Sequence, residues 1–179
     1  VARNRRSEEL ASQAEIRFRT VMNGINDGLY DYDLKEKKIY YSAAYKAMLG
    51  YNDEEHPDSM EIFRRLLHPD DVANIFENYR LYRNRQIDEY KNIFRMLHKD
   101  GNWRWILSRG VGMWNNKGEM IRLIGTHTDL TEQKNSEEDL KQLNSDLESF
   151  TYIASHDLRS PLVNLKGFAS ELEYALKQT

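Results

Sequence analysis

Cysteine is absent from this 179-residue sequence, which excludes disulfides, thiolate zinc sites, iron–sulfur clusters and cysteine–flavin photochemistry. No stretch approaches the ~20 consecutive apolar residues that span a bilayer. The chain is therefore expected to be cytoplasmic, with any membrane anchor of its parent outside this window. An excess of charge of one sign is also missing, since 26 Lys and Arg stand against 29 Asp and Glu for a formal net charge of −3. Without a basic face, nucleic acid is not an expected partner. There is no glycine-rich nucleotide loop, and ATP chemistry needs a clamp for the phosphates and Mg²⁺. Val1 opens the chain with neither an initiator Met nor a secretory apolar core, as expected of a piece of a longer protein. What remains is 40% hydrophobic and 31% charged, enough for one compact domain plus a helix.

The pattern divides into parts. A polar helix is expected from about Arg5 to Met22, with Leu10, Ala14, Phe18 and Val21 along one side, giving an N-terminal linker helix over residues 1–25. Residues 26–130 alternate strand and helix signals. Gly28 to Asp33 and Lys38 to Ser42 read as two strands. Ala43 to Leu49 reads as a short helix stopped by Gly50, and Pro69-Asp70-Asp71 opens a longer one to about Arg85, with acids favouring its dipole. Three strands follow from Glu89 to Asp129, turning at Lys99-Asp100-Gly101 and at Asn115-Asn116-Lys117-Gly118. Trp103, Trp105 and Trp114, with Phe94, Ile106 and Ile124, are expected to pack in the core and across strands.

From Thr131 the signal is a long helix, read as a coiled-coil linker over 131–149 and a bundle helix over 150–179. Apolar residues recur at three-and-four spacing through Leu140, Leu143, Leu147, Phe150, Ala154, Leu158, Leu162, Leu165, Ala169, Leu172 and Leu176. Phe150, Ala154, Leu158 and Leu162 are all four apart, a stutter that locally unwinds a coiled coil. Pro161 removes the hydrogen bond to the Asp157 carbonyl and is expected to bend the helix there. At roughly 100° per residue, His156 lies about 200° from Ala154 and Leu158, so its imidazole is expected to face solvent. An imidazole is nucleophilic when neutral.

Phe150 through Leu165, with Ser155-His156-Asp157-Leu158-Arg159-Ser160-Pro161-Leu162 at its centre, resembles the H-box of the dimerisation and histidine-phosphotransfer domain of sensor histidine kinases. Upstream, Leu49-Gly50-Tyr51, His68-Pro69-Asp70-Asp71, Phe94-Arg95, Lys99-Asp100-Gly101, Trp105, Gly125 and Asp129-Leu130-Thr131-Glu132 are similar to the PAS domains common ahead of such kinases. The resemblance implies an α+β fold, a five-stranded antiparallel sheet with flanking short helices, framed by the N-terminal helix and the long C-terminal coiled-coil or bundle helix.

It further implies the sensory and phosphoacceptor fragment of a two-component sensor histidine kinase, a phosphoprotein and, in the parent, a transferase. His156 would be the phosphoacceptor and Asp157 its general base. Ser160 stands where relatives place a water for dephosphorylation. Asp129, Thr131 and Glu132 sit at the junction that transmits the signal, and Pro161 in the segment that absorbs the motion. The implied partners are a second copy through the C-terminal helix, the parent's own ATP-binding domain and a response-regulator receiver. Lacking ATP and Mg²⁺ in their own domain, the fragment should not autophosphorylate alone. The alternative is a PAS dimerisation or scaffold module without phosphotransfer.

No metal site or redox cofactor is expected; an unidentified small ligand in the PAS pocket is compatible with the sequence. None of the five histidines falls within Val72 to Arg85, where haem-binding relatives carry their ligand. His127, on the last strand, is expected to be a satisfied histidine of the sheet rather than a pocket residue.

Overall fold

Side chains alternate faces along a strand, and burial follows that rule here. In β3 (Tyr90–Leu97), Tyr90, Asn92, Phe94 and Met96 are buried while Lys91 and Ile93 face out. The computed structural model describes residues 27–177. Within it, β1 (Gly28–Asp33), β2 (Lys38–Tyr41), β3, β4 (Trp103–Trp114) and β5 (Met120–Asp129) form one antiparallel sheet in the order β2-β1-β5-β4-β3. The hairpins close where expected, with Gly101 at φ +87° and Gly118 at φ +79°, a conformation that costs glycine least. The expected N-terminal helix over Arg5 to Met22 lies outside the described residues.

Three helices connect β2 to β3: α1 (Ala43–Met48), α2 (Met60–Leu66) and α3 (Pro69–Arg83). Their caps explain their boundaries. Ser42, expected in the strand, instead begins α1, its hydroxyl accepting from Tyr45 N at 3.3 Å and Leu29 N at 2.9 Å. Ser59 Oγ accepts from Glu61 N at 3.2 Å, and His68 Nδ1 accepts from Asp70 N at 3.2 Å, each occupying an otherwise orphan amide. Val72, Ile75, Phe76, Tyr79 and Tyr82 recur at helical spacing along α3 and pack on the core with Tyr30, Phe94, Ile106 and Leu123.

A carboxylate clamp fixes α3 to the sheet. Arg95 grips Asp71 with Nε at 2.9 Å and a terminal nitrogen at 2.7 Å, while its backbone N–H donates to the same carboxylate at 2.9 Å. The arginine beside it holds the Asp71 carboxyl below its usual range, against the opposing effect of burial.

Trp114 packs against the core as expected, whereas Trp103 and Trp105 depart from expectation. Trp103 is exposed and sits against the His68 ring at 4.6 Å. Trp105 and Trp114 are half-buried beneath the guanidinium groups of Arg95 and Arg85, at 5.3 and 4.9 Å. Cation–π geometry keeps these rings at the margin, and tyrosine, phenylalanine, leucine, isoleucine and methionine fill the core instead.

The described residues form two compact units, one ending at Glu132 and one beginning at Gln133. α4 (Thr131–Leu176) starts in the first and constitutes the second; it contains Pro161 and stays helical on both sides of it. Its 46 residues extend about 69 Å at 1.5 Å per residue. Leu140, Leu143, Leu147, Phe150, Leu162 and Leu165 are all exposed along it. No helix among the described residues is long and apolar enough to cross a membrane.

Candidate functional site

The first unit encloses a cavity of about 210 Å³ between the inner face of the sheet and helices α2 and α3. Period-two alternation supplies one wall: Tyr30 and Tyr32 from β1, Ile39 and Tyr41 from β2, Leu123 and His127 from β5. Helical spacing supplies the other with Phe63, Phe76, Tyr79 and Arg83.

Space for the inner tyrosine comes from two glycines. Gly110 on β4 pairs with Gly125 on β5, and a Cβ on either would collide with the Tyr30 hydroxyl. The phenol instead lies over the glycine pair, 3.4 Å from both the Arg109 carbonyl oxygen and Ser108 Oγ. Burial raises the pKa of Tyr30, as it does for Tyr41 and Tyr90, so these walls are uncharged.

His127 corrects the sequence reading. It is 3% exposed, and its Nδ1 has no hydrogen-bond partner among the described residues. Rings surround it instead: Tyr30 at 5.0 Å, Tyr45 at 5.2 Å, Phe94 at 5.5 Å and Phe63 at 6.2 Å. With no counter-charge among those rings, burial alone pushes its pKa down to about 3, so the imidazole is neutral, and His127 is among the residues that line the cavity. The Tyr41 hydroxyl, in a ring stacked on Tyr45 at 4.1 Å, is likewise buried without a partner. A buried polar atom left unpaired is costly.

His56, in the loop between α1 and α2, is 1% exposed and packed edge-on against Tyr41, Tyr45 and Tyr51. Burial lowers its pKa. Beside it Lys46 is buried between Asp53 and Asp58, at 2.7 and 2.9 Å.

At the end of β5, Asp129 accepts from the backbone N–H and hydroxyl of Thr131, and Thr131 Oγ1 accepts from Trp105 N at 2.9 Å. The first turn of α4 is thereby tied to β4, with Glu132 beside it as the acid of that turn.

The family model described as PAS fold matches residues 38–127. The chain belongs to the PAS fold family. A crystal structure of a sensory box histidine kinase/response regulator from Burkholderia thailandensis is similar to this PAS protein, with 32% identity, a TM-score of 0.64, and coverage of 74% of this chain and 98% of that one. The two-component sensor PprA of Pseudomonas aeruginosa is 25% identical over 137 residues, which is 74% of this chain and 14% of that protein. The methyl sulfide methyltransferase-associated sensor of Methanosarcina acetivorans is 29% identical over 128 residues, 72% of this chain and 13% of that one. The PAS protein thus spans about a seventh of these curated relatives, which are sensors.

The second unit carries the other predicted residues. His156 and Asp157 lie on α4 with side chains 73% exposed, and His156 Nδ1 is 3.3 Å from Asp157 Oδ1. Pro161 follows on the same helix, exposed. Ser160 is also on it, its side chain outside what the structure describes. The cavity residues Tyr30, Tyr41 and Arg83 had no motif to announce them.

Proposed function

We propose that this chain is the sensory and phosphoacceptor segment of a two-component sensor histidine kinase. The PAS unit receives a signal, α4 carries it, and His156 accepts the γ-phosphoryl group of ATP held by the parent's catalytic domain, then passes it to an aspartate of a response regulator. The observation that carries this reading is the solvent-facing imidazole of His156 with Asp157 at 3.3 Å from its Nδ1, on a helix that leaves a PAS unit whose relatives are sensor kinases. A proton on Nδ1 shared with Asp157 leaves the Nε2 lone pair free to attack phosphorus. Asp157 then steadies the charge that develops on the ring.

The exposed apolar stripe from Leu140 to Phe150 supports pairing with a second copy, since such a stripe on a polar helix is the seam of a coiled coil. Mixing the chain with a kinase catalytic domain, Mg²⁺ and ATP should yield acid-labile, base-stable phosphate that is lost in His156→Gln. Equal labelling of His156→Gln, or none in either protein with a domain that labels its own partner, would leave a PAS dimerisation or scaffold module.

A further inference from the structure

We propose that the cavity of the PAS unit binds a small aromatic carboxylate, the ring between tyrosine walls, the carboxylate on Arg83 and a neutral hydrogen-bonding group on His127. This deepens the reading of the unit as a signal receiver and rests on it for its biological meaning. Three observations carry it.

Size comes first. A cavity of 150 Å³ is known to hold a benzene molecule, so about 210 Å³ takes one substituted ring. The walls suit a ring, because Tyr30, Tyr32, Tyr41, Phe63, Phe76 and Tyr79 present aromatic faces and edges to the space, where offset and edge-on pairing is favourable.

Charge comes second. Among the described residues the lining contains no carboxylate, and its one ionic group is the Arg83 guanidinium. Arg83 is exposed and forms no ion pair with any carboxylate among the described residues. A planar guanidinium binds a carboxylate through two parallel hydrogen bonds. Because the arginine is exposed, the ligand's charge stays in contact with water and avoids the cost of burying an ion.

The third is the deep end. His127 and Tyr41 are among the residues that line the cavity; His127 Nδ1 and the Tyr41 hydroxyl are buried and unpartnered, in a shell of rings without a formal charge. Such a place rejects an ion but rewards a neutral hydroxyl that completes their hydrogen bonds. Carboxylate at one end and hydroxyl at the other define the ligand class.

Titration calorimetry on the 179-residue chain with four related probes tests this. They are 4-hydroxyphenylacetate, phenylacetate, 2-(4-hydroxyphenyl)ethanol and tyramine. We expect 4-hydroxyphenylacetate to bind with a Kd below about 1 mM, roughly tenfold tighter than the alcohol, and tyramine to bind weakest. Arg83→Gln should abolish the preference for acid over alcohol while leaving thermal unfolding unchanged. His127→Leu should abolish the preference for 4-hydroxyphenylacetate over phenylacetate. The proposal is overturned if neither acid binds at about 10 mM, if tyramine equals the acid, or if Arg83→Gln retains the acid preference. Binding is read without any kinase domain, so failure here and failure of phosphoryl transfer to His156 are separate results.

Discussion

Acidification should destabilise the PAS unit through His127 before its carboxylates titrate. In the unfolded chain a histidine has a pKa near 6.5, whereas burial holds His127 at about 3 in the fold. The folded state therefore binds fewer protons than the unfolded state between those limits. Stability is fully present above about pH 6.5 and falls as pH drops toward 3, by about 1.4 kcal/mol per unit for this one group. From pH 7 to pH 5 the loss is about 2 kcal/mol, a large share of the 5–15 kcal/mol typical of a domain. The groups facing the ring are Tyr30, Tyr45, Phe63 and Phe94, and none is charged in this range. His56, whose pKa burial also lowers, adds in the same direction. The assay is urea unfolding followed by tryptophan fluorescence at pH 5, 6 and 7, on the native chain and on His127→Leu, because the difference between their pH dependences isolates His127. With an m-value of about 1 to 1.5 kcal/mol per molar, the native midpoint should fall by about 1.3 to 2 M more than the variant's between pH 7 and pH 5. Parallel midpoints across the three pH values would refute the buried neutral imidazole.

Other predictions are shorter. Gly125→Ala should destabilise the PAS unit by about 1–3 kcal/mol, since the new methyl meets the Tyr30 hydroxyl and the Arg109 carbonyl; adding Tyr30→Phe should recover only part of the loss in urea unfolding. Thr131→Val removes the acceptor of the Trp105 N–H and should cost about 1 kcal/mol, seen as faster amide exchange at Trp105. Leu143→Arg with Leu147→Arg places charge in the exposed stripe of α4 and should convert a dimer to a monomer in sedimentation velocity. A dimer that persists would place the contact elsewhere.

Strands and hairpins were legible because their rules are local: alternation and turn glycines placed β1 to the residue and β4 and β5 around the correct turns. The short words of the resemblance proved structural. His68-Pro69-Asp70-Asp71 and Phe94-Arg95 are the two halves of one clamp, and Gly50 at φ +80° passes beneath His98. Helix α2 had only seven residues and a single Ser cap to declare it, too little against Pro57 close by. Trp105 misled because bulk alone does not distinguish a core ring from one covered by arginine. His127 could have been assigned to the inner face from its even spacing to Leu123. Its missing hydrogen bond could not, because satisfaction depends on four rings from four distant elements. His156 was visible through motif and helical phase, while the cavity, assembled from one to four residues of each of seven elements, left no contiguous trace.

One residue, Thr128, separates His127 from Asp129 on β5, and parity puts both on the same side of the strand. One end of this short span borders the cavity; the other holds the first turn of α4 through Thr131. The His127 ring and the Asp129 carboxylate thus share one stretch of backbone, as two teeth of one comb. The arrangement is digital in sequence. Inserting one residue between them would keep the same chemical groups and nearly the same separation, yet turn imidazole and carboxylate to opposite faces.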